Sequence, residues 1–510
     1  MNALDTQTRI AVVGAGAMGS GIAQVAAQAG HEVFLFDQSA EAVDKGRAGI
    51  AKQLQRRVDK GKLDQATADA VVARVLPANQ LSKLATAGLV IEAIVENLEI
   101  KQKVFAELED ICGEQVILAT NTSSLSVTAL GSALKRPERL VGMHFFNPAP
   151  VMALVEVILG LATDKNLAEQ IHATAAAWGK KPVFASSTPG FIVNRVARPF
   201  YAESLRLMQE GAGDPATLDA LLREAGNFRM GPFELTDLIG QDVNYAVTSS
   251  VFAAYYGDFR FQPSLIQKSL VDAGRLGRKS GQGFYAYDEK AERPQASTTA
   301  SYSSDEKQLV VEGNPGVLSG LVARAAEAGL EIVERDGCGL LRFGRATLAL
   351  TDGRMATERS VTQGLKDLVL VDLAFDYRQA SRLAIAVGEH TDPAATEDAL
   401  ALLQQLGIQV TQISDLPGLV VMRTLAMLAN EGADAVLQGV ASPADVDLAM
   451  QAGLNYPQGP LAWSDRLGDG VVHQVLTHLQ ASYCEDRYRP SLLLRRNAFA
   501  HQGFFQEAAS

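Results

Sequence analysis

RIAVVGAGAMGSGIAQVAAQAGHEVFLFD, residues 9 to 37, decides how the rest of this chain is read. Ile10 to Val13 is a short β-branched run, the composition of a buried strand. Gly14, Gly16 and Gly19 follow at G-x-G-x-x-G spacing, with Ala17 and Met18 between the last two. Ser20 to Ala29 is small and apolar enough for a helix, Gly30 suits its C-cap, and Val33 to Phe36 is a second strand that ends at Asp37. In that setting Gly14 permits the tight turn, Gly16 lets the backbone approach a pyrophosphate, and Gly19 lets helix pack closely on strand. Glycine-rich turns occur in many loops, so a purely structural turn is the alternative. The flanking strand, helix and strand favour a dinucleotide, whose phosphates would meet the free N–H groups and positive dipole end of the helix. Asp37 would accept hydrogen bonds from the adenosine ribose and repel a 2′-phosphate. Gln38 and Ser39 offer no cation to hold one, which points to NAD rather than NADP.

At 510 residues the chain exceeds a single core, and three or four domains are expected. The net charge of −12, with no basic cluster that stands out, argues against a nucleic-acid partner. Cys112, Cys338 and Cys484 are far apart; they read as small buried residues of a reducing compartment, without metal-ligand spacing. The first residues have no apolar leader. The most apolar later stretch, Val141 to Ala162, is broken by His144, Asn147, Pro148, Pro150 and Glu156 and makes a poor membrane span. A cytoplasmic location without a membrane partner is the default.

Ala40 to Lys60 and Gln65 to Val75 read as a helical hairpin turning at Lys60-Gly61-Lys62. Arg56, Arg57, Lys60 and Lys62 near its tip are either a solvated face or a landing place for an anionic group beside the cofactor. Leu89 to Ala93, Val116 to Ala119 and Leu140 to Met143 are further strands. Strands alternating with helices imply a parallel sheet wound on both faces, whose ligands bind at the carboxyl ends of its strands. Asp37, Glu96, Asn121, Ser123 and His144 all fall at such ends.

His144 and Glu156 are the sharpest catalytic candidates. A chain reversal at Asn147-Pro148-Ala149-Pro150 would bring Glu156, in Leu154 to Ile158, back beside His144. A carboxylate on one imidazole nitrogen fixes the tautomer and raises the basicity of the other, which could then take a proton from a hydroxyl. Spacing alone equally allows a histidine capping a strand and a glutamate on an exposed face. The apolar surroundings of Glu156 favour the pair, because an unpaired carboxylate there would be costly.

Thr188 to Arg195 (TPGFIVNR) opens a region of helical patterns to about Tyr256, with MGPFEL at 230–235 and KSGQGFY at 279–285 closing it. With GAGAMG, IVENLEIK, TNTSSL, HFFNP and LVEV these motifs run in register over residues 8 to 288, and the chain resembles the L-3-hydroxyacyl-CoA dehydrogenases. The resemblance implies a Rossmann-type doubly wound sheet followed by an all-α domain, and NAD-linked oxidation of an L-3-hydroxyacyl-CoA. It makes His144 the catalytic histidine and Glu156 the carboxylate that orients it. Ser123 and Asn194 match the groups that hold the substrate's hydroxyl and carbonyl oxygens; a helix N-cap and a helix-terminal hydrogen bond are their structural alternatives. Glu96, Lys101 and Asn121 match residues lining the cofactor, Lys279 one reaching it from the helical domain, and Lys60 one that meets coenzyme A. Gln53 stands where the family often has a serine on coenzyme A. Asp214 and Asp219 read as cap and solvent residues.

Glu289 to Asp305 reads as a linker, and Gln308 to Glu334 repeats strand, turn, helix, strand with Gly313 and Gly316 but no third glycine in phase. Leu368 to Asp372 is another strand. Leu416 to Arg423 echoes Thr188 to Arg195 at an offset of 228, and Gln458-Gly459-Pro460-Leu461 echoes Met230 to Phe233 at the same offset. Met422 then stands in place of Asn194, and a thioether cannot donate a hydrogen bond. The expected layout is a dinucleotide-binding domain at 1–187 with its hairpin at about 40–75 and a helical domain at 188–288. A linker at 289–307, a shortened degenerate α/β domain at 308–413 and a second, non-catalytic helical copy at 414–510 complete it. The assembly is either a homodimer or an intrachain pseudo-dimer of the helical domains. The two-copy layout resembles a bacterial subset acting on 3-hydroxyadipyl-CoA in phenylacetate breakdown. A 3-hydroxybutyryl-CoA dehydrogenase is the runner-up, and a non-catalytic NAD-binding or structural protein the alternative of another class. Arg195 and Arg198 are the cations near in sequence that a distal carboxylate would want.

Overall fold

β1 (Ile10–Val13) is buried along its whole length, and α1 (Ala17–Gln28) rises from its end. In the computed structural model, which describes residues 2–468 and 470–505, β2 (Val33–Phe36) follows. The hairpin is α2 (Ala40–Asp59) and α3 (Gln65–Arg74), started by Ser39 and Asp64, whose side chains accept from the N–H groups of Ala42 and Thr67. Then come β3 (Val75–Ala78), β4 (Leu89–Glu92), α4 (Leu98–Ile111), β5 (Ile117–Thr120), α5 (Val127–Gly131), β6 (Leu140–Phe145), β7 (Leu154–Leu159), α6 (Lys165–Ala177) and β8 (Lys181–Ser186). The sheet order is β3-β2-β1-β4-β5-β6-β7-β8. All neighbours run parallel except β6 and β7. Strand order reverses direction between β1 and β4, which opens a crevice beyond the carboxyl ends. Ile10, Val12, Leu35, Ile91 and Val141 of the sheet and Ile22 and Ala26 of α1 form the buried core, each large side chain contributing about 1.5–3 kcal/mol.

The structure divides into two compact units, residues up to 195 with 438–454, and 196–437 with 455 onward. After the short α7 (Val193–Val196), the second unit begins with α8 (Arg198–Gln209), α9 (Pro215–Glu224), α10 (Pro232–Ile239), α11 (Gln241–Ala254) and α12 (Leu265–Asp272). Asp214 caps α9 through the Thr217 N–H. Asp219, expected in solvent, is fully buried instead: it accepts from the Phe233 and Glu234 N–H groups and the Tyr285 hydroxyl, and burial pushes its carboxyl up to about 7. The periodicity of α9 alone cannot show that α10 and the segment around Tyr285 close over this face. The cysteines also divide: Cys112 is buried, while Cys338 and Cys484 are exposed, contrary to the sequence reading.

A second sheet is built from β9 (Gln308–Glu312), β10 (Glu331–Arg335), β11 (Leu340–Phe343), β12 (Ala346–Leu350), β13 (Leu368–Val371), β14 (Arg382–Val387) and β15 (Gln409–Gln412), in the order β10-β9-β11-β12-β13-β14-β15. Its helices are α13 (Ser319–Glu327), α14 (Ala356–Gln363) and α15 (Pro393–Gln405). The second helical set is α16 (Val421–Leu437), α17 (Pro443–Leu454), α18 (Pro460–Leu467), α19 (Val471–Tyr483) and α20 (Leu492–Ala500). α17 belongs to the first unit, where it packs on β7 and β8.

The 228-residue offset reaches further back than the motifs show. β6 and β13, β7 and β14, β8 and β15, and α6 and α15 start at corresponding positions; β6–β7 and β13–β14 are both antiparallel, and β7–β8 and β14–β15 both parallel. Left-handed residues recur in step: Gly190-Phe191 with Gly418-Leu419, Asn227 with Asn455, Tyr256 with Cys484. A side chain at positive φ is costly, so its repetition marks a shared backbone path. Within the second unit α8 packs on α16, with Arg423 fully buried between Glu203, Glu210, Tyr483 and Tyr488.

Candidate active site

A side chain on Gly14, at φ 107°, would stand 2.4 Å from the Ala93 carbonyl oxygen, and one on Gly19 1.8 Å from the Gly14 carbonyl oxygen. The chain itself therefore dictates both glycines. At Gly16 an added Cβ meets nothing within 4 Å. Gly16 is the N-cap of α1 without a side-chain cap, and the first turn carries no acid. The N–H groups of Ala17, Met18 and Gly19 lack intrahelical acceptors and face that open space. The Asp37 carboxylate is fixed at the end of β2 by the Ala15 N–H at 2.8 Å and the Ser39 N–H at 3.0 Å. These groups fit a dinucleotide: donors and room for a pyrophosphate, and an acid for a ribose. Gly16→Ala should therefore leave thermal stability unchanged and raise the KM for NAD tenfold or more, a loss of about 1.4 kcal/mol. Gly19→Ala should lower the melting temperature itself. Melting curves and NAD titrations check both, and an unchanged KM in Gly16→Ala would remove the pyrophosphate from this loop.

Beyond β4 and β5 lies a carboxylate cluster. Lys101 is buried, with its ammonium 2.6 Å from Glu92 and 3.1 Å from Glu96. Glu92, which the sequence reading missed, also accepts from the Thr120 hydroxyl and the Ile94 N–H. The signal was there: a lone acid ends the apolar run LVIE, and such an acid needs a partner. Glu96 gathers the Thr122 hydroxyl at 2.5 Å, the N–H groups of Ser123 and Ser124, and the Ser124 hydroxyl. Burial would raise the Glu96 carboxyl, but the Thr122 hydroxyl and the Lys101 charge hold it below the usual range. Asn121 accepts from the Phe145 N–H at 2.8 Å and so ties the end of β5 to the end of β6. The cap of α5 is Ser126, not Ser123, which stays exposed beside this cluster.

His144 and Glu156 stand directly opposite each other on β6 and β7. His144 Nδ1 and Glu156 Oε2 are 2.6 Å apart, and both side chains are buried. The other carboxylate oxygen accepts from the Ile192 and Val193 N–H groups, each at 3.0 Å. Gly190 and Phe191, both at positive φ, aim those N–H groups. With Glu156 accepting from Nδ1–H, Nε2 carries the lone pair. Phe146 and Phe191 flank the ring at centroid distances of 4.5 and 6.0 Å. Asn194 follows at once on α7 and is half-buried. The first unit thus brings Asp37, Glu96, Asn121, Ser123, His144, Glu156 and Asn194 to the carboxyl ends of its sheet and the turn that closes it.

Lys60 is exposed near the hairpin tip and Gln53 is half-buried on α2. Lys279 is exposed in the second unit and pairs with Asp242 at 2.5 Å. Arg195 and Arg198 are both buried. Among the described residues no cluster could hold a metal ion and no helix is long and apolar enough to cross a membrane.

The second copy has lost the pair. The position of His144 is taken by Asp372 and that of Glu156 by Ala384. Asp372 is fully buried and itself accepts from the Val420, Val421 and Met422 N–H groups at 3.0, 2.8 and 3.1 Å, where Glu156 serves the first copy. Burial pushes its carboxyl up to about 6. One carboxylate anchors the turn in each copy, and only the first has an imidazole beside it.

The family model of the 3-hydroxyacyl-CoA dehydrogenase NAD-binding domain matches residues 9–188. That of the C-terminal domain matches 190–287 and again 418–504, and a 3-hydroxybutyryl-CoA dehydrogenase reduced Rossmann-fold domain matches 348–417. The chain is 45% identical over 502 residues to a 3-hydroxyadipyl-CoA dehydrogenase of Escherichia coli (strain K12), covering 98% of this chain and 99% of the relative. The crystal structure of a 3-hydroxybutyryl-CoA dehydrogenase from Escherichia coli K12 substr. MG1655 shares the fold at a TM-score of 0.88 and 44% identity, again over 98% of this chain and 99% of the other. A 3-hydroxybutyryl-CoA dehydrogenase of Clostridioides difficile is 40% identical over 280 residues, 55% of this chain and 99% of the relative.

Proposed function

The chain belongs to the 3-hydroxyacyl-CoA dehydrogenase family, and from that premise we propose that it oxidises L-3-hydroxyadipyl-CoA to 3-oxoadipyl-CoA with NAD, at the His144–Glu156 pair. When bound, NAD supplies the acceptor for the hydride that leaves the substrate's C3. His144 Nε2 takes the proton of the C3 hydroxyl as that carbon is oxidised, so the alcohol loses a hydride and a proton and becomes a ketone. Glu156 holds Nδ1–H and stabilises the imidazolium that forms. Ser123 and the Asn194 amide orient the substrate oxygens. Gly14, Gly16, Ala17, Met18, Gly19 and Asp37 hold the dinucleotide, while Glu96 and Asn121 line it. Lys101 acts from behind, fixing Glu96. Lys60 and Gln53 meet coenzyme A.

The observation that carries the adipyl substrate is the end-to-end match, both copies included, with a relative of that name. The structure of a 3-hydroxybutyryl-CoA dehydrogenase matched over the same length favours the shorter acyl chain as the second reading. NADH formation at 340 nm with L-3-hydroxyadipyl-CoA and L-3-hydroxybutyryl-CoA in parallel separates them. The proposed site gives an adipyl kcat/KM at least tenfold higher, about 1.4 kcal/mol of transition-state discrimination; equal or better butyryl turnover would make this a general short-chain enzyme. The second copy serves as an intrachain partner for the first, a pseudo-dimer supported by the packing of α8 on α16. Its role is structural because Asp372 and Met422 replace the histidine and the asparagine.

A further inference from the structure

Val446, Ala449, Met450 and Gly453 recur at helical spacing in α17 and are all buried. By sequence this helix belongs to the second copy, yet it packs on β7 and β8 within the first unit. The segment leading into it is tied to the same place. Ser186, at the end of β8, donates its N–H to the Val440 carbonyl and its hydroxyl to the Gly439 carbonyl, each at 2.8 Å. A Cβ added at Gly453 would stand 2.7 Å from Leu154 Cδ2 and 3.3 Å from Val193 Cγ2. Both neighbours lead to Glu156. Leu154 lies two residues before it on β7 and so on the same face of the sheet. Val193 gives Glu156 one of its two backbone hydrogen bonds. Leu154 is fully buried, so a close-packed interior leaves its side chain little room to yield.

The 228-residue offset supplies a comparison. α9 is the counterpart of α17, and in the second unit it packs on β14, the counterpart of β7. The Ser414 hydroxyl donates to the Gly211 carbonyl at 3.2 Å, repeating the contact of Ser186 with Gly439. Each copy therefore lends a helix to the strands of the other, the reciprocal pattern of an isologous contact. At the position of Gly453, however, α9 carries the buried Ala225, and at that of Leu154 β14 carries Arg382. Glycine weakens a helix relative to alanine, and the repeated fold accepts alanine here. The close seat of α17 on Leu154 and Val193 accounts for the glycine, and it occurs in the copy whose carboxylate must hold an imidazole.

Resting on the His144–Glu156 reading, we propose that α17 is a positioning element of the reaction, with Gly453 as its seat. It braces β7 and the turn at 192–193, so that Glu156 keeps both backbone donors and stays fixed on His144 Nδ1. The second copy supplies no group to the chemistry, but the catalytic copy is incomplete without its helix.

The test is made on the full chain with Gly453→Leu, Gly453→Leu combined with Leu154→Ala, and Ala225→Leu, reading kcat, the KM for NAD and the melting temperature. Gly453→Leu should lower kcat by about 10- to 100-fold, the effect of a misplacement of about 1 Å at the reacting groups. The KM for NAD should stay within about twofold, a split that marks an interaction serving the reaction rather than cofactor binding. Leu154→Ala returns the displaced volume and should restore most of kcat. Ala225→Leu crowds the matching contact on β14, where no imidazole is held, and should leave kcat within about twofold whatever it does to stability. If Gly453→Leu does not fold, Gly453→Ala takes its place, with a kcat about threefold lower expected from its single methyl group. An unchanged kcat in the folded Gly453 variant, no recovery with Leu154→Ala, or an equal loss in Ala225→Leu overturns the role of α17 and leaves the catalytic pair standing. A His144→Ala enzyme that keeps its turnover, measured in parallel, overturns the pair itself.

Discussion

His144→Ala is expected to lower kcat for acyl-CoA oxidation by about 10²- to 10⁴-fold, the range a positioned general base supplies. The variant should still bind NAD, because the glycine loop and Asp37 lie on β1 and β2, away from the β6–β7 pair. Glu156→Gln is the sharper companion. Glu156 receives three hydrogens, from His144 Nδ1 and from the Ile192 and Val193 N–H groups. An amide has one carbonyl oxygen and one NH₂. If the oxygen serves the two backbone donors, the NH₂ faces Nδ1 and forces the proton onto Nε2, the nitrogen that must accept. If the oxygen serves Nδ1, backbone donors face amide hydrogens and the turn before Asn194 is disturbed. Either arrangement costs turnover, and the wrong-tautomer penalty known for buried Asp–His pairs is about 10⁴-fold. Stopped-flow and steady-state NADH measurements on both variants check this. A His144→Ala enzyme within tenfold of wild type would move the base elsewhere.

The second large effect is on stability. Arg423 is fully buried and makes hydrogen bonds of 2.7 Å to Glu203, 2.8 and 3.2 Å to Glu210, 2.8 Å to Tyr483 and 2.7 Å to Tyr488. Arg423→Met keeps the volume but leaves the buried Glu203 carboxylate without its cation. Removing one partner of such a pair costs about 3–5 kcal/mol, whereas replacing both by apolar groups is near neutral. Arg423→Met should therefore unfold at clearly lower urea concentration, and Arg423→Met with Glu203→Leu should recover much of the loss. Urea midpoints read by circular dichroism decide it. A single variant within about 1 kcal/mol of wild type, the worth of a surface pair, would mean that the packing of α8 on α16 does not rest on this network.

The glycine loop was legible because its constraints are local. A Cβ added at Gly14 or Gly19 would stand 2.4 or 1.8 Å from a backbone carbonyl oxygen, so no other residue fits. Strand ends were legible because a buried run must stop where polar residues begin, which marks Asp37, Asn121 and His144 in the sequence itself. The helical repeat showed itself through glycine and proline motifs that sit at special backbone angles in both copies.

What escaped the sequence depended on elements far apart in the chain. The antiparallel register that sets His144 opposite Glu156 is a property of β6 and β7 together, and spacing left it open. Asp219 was read as a solvent residue because its concealment comes from α10 and Tyr285. Asp372 went unrecognised as the counterpart of His144 because a four-residue strand carries no motif of its own; only matching sheet orders reveal it. Local steric demands, turns, caps and apolar periodicity are written residue by residue, and they determined the two folding copies and the cofactor loop. Burial and charge pairing are long-range. The tertiary structure alone decided that Arg423 is neutralised and that only one of two homologous turns has an imidazole beside its carboxylate.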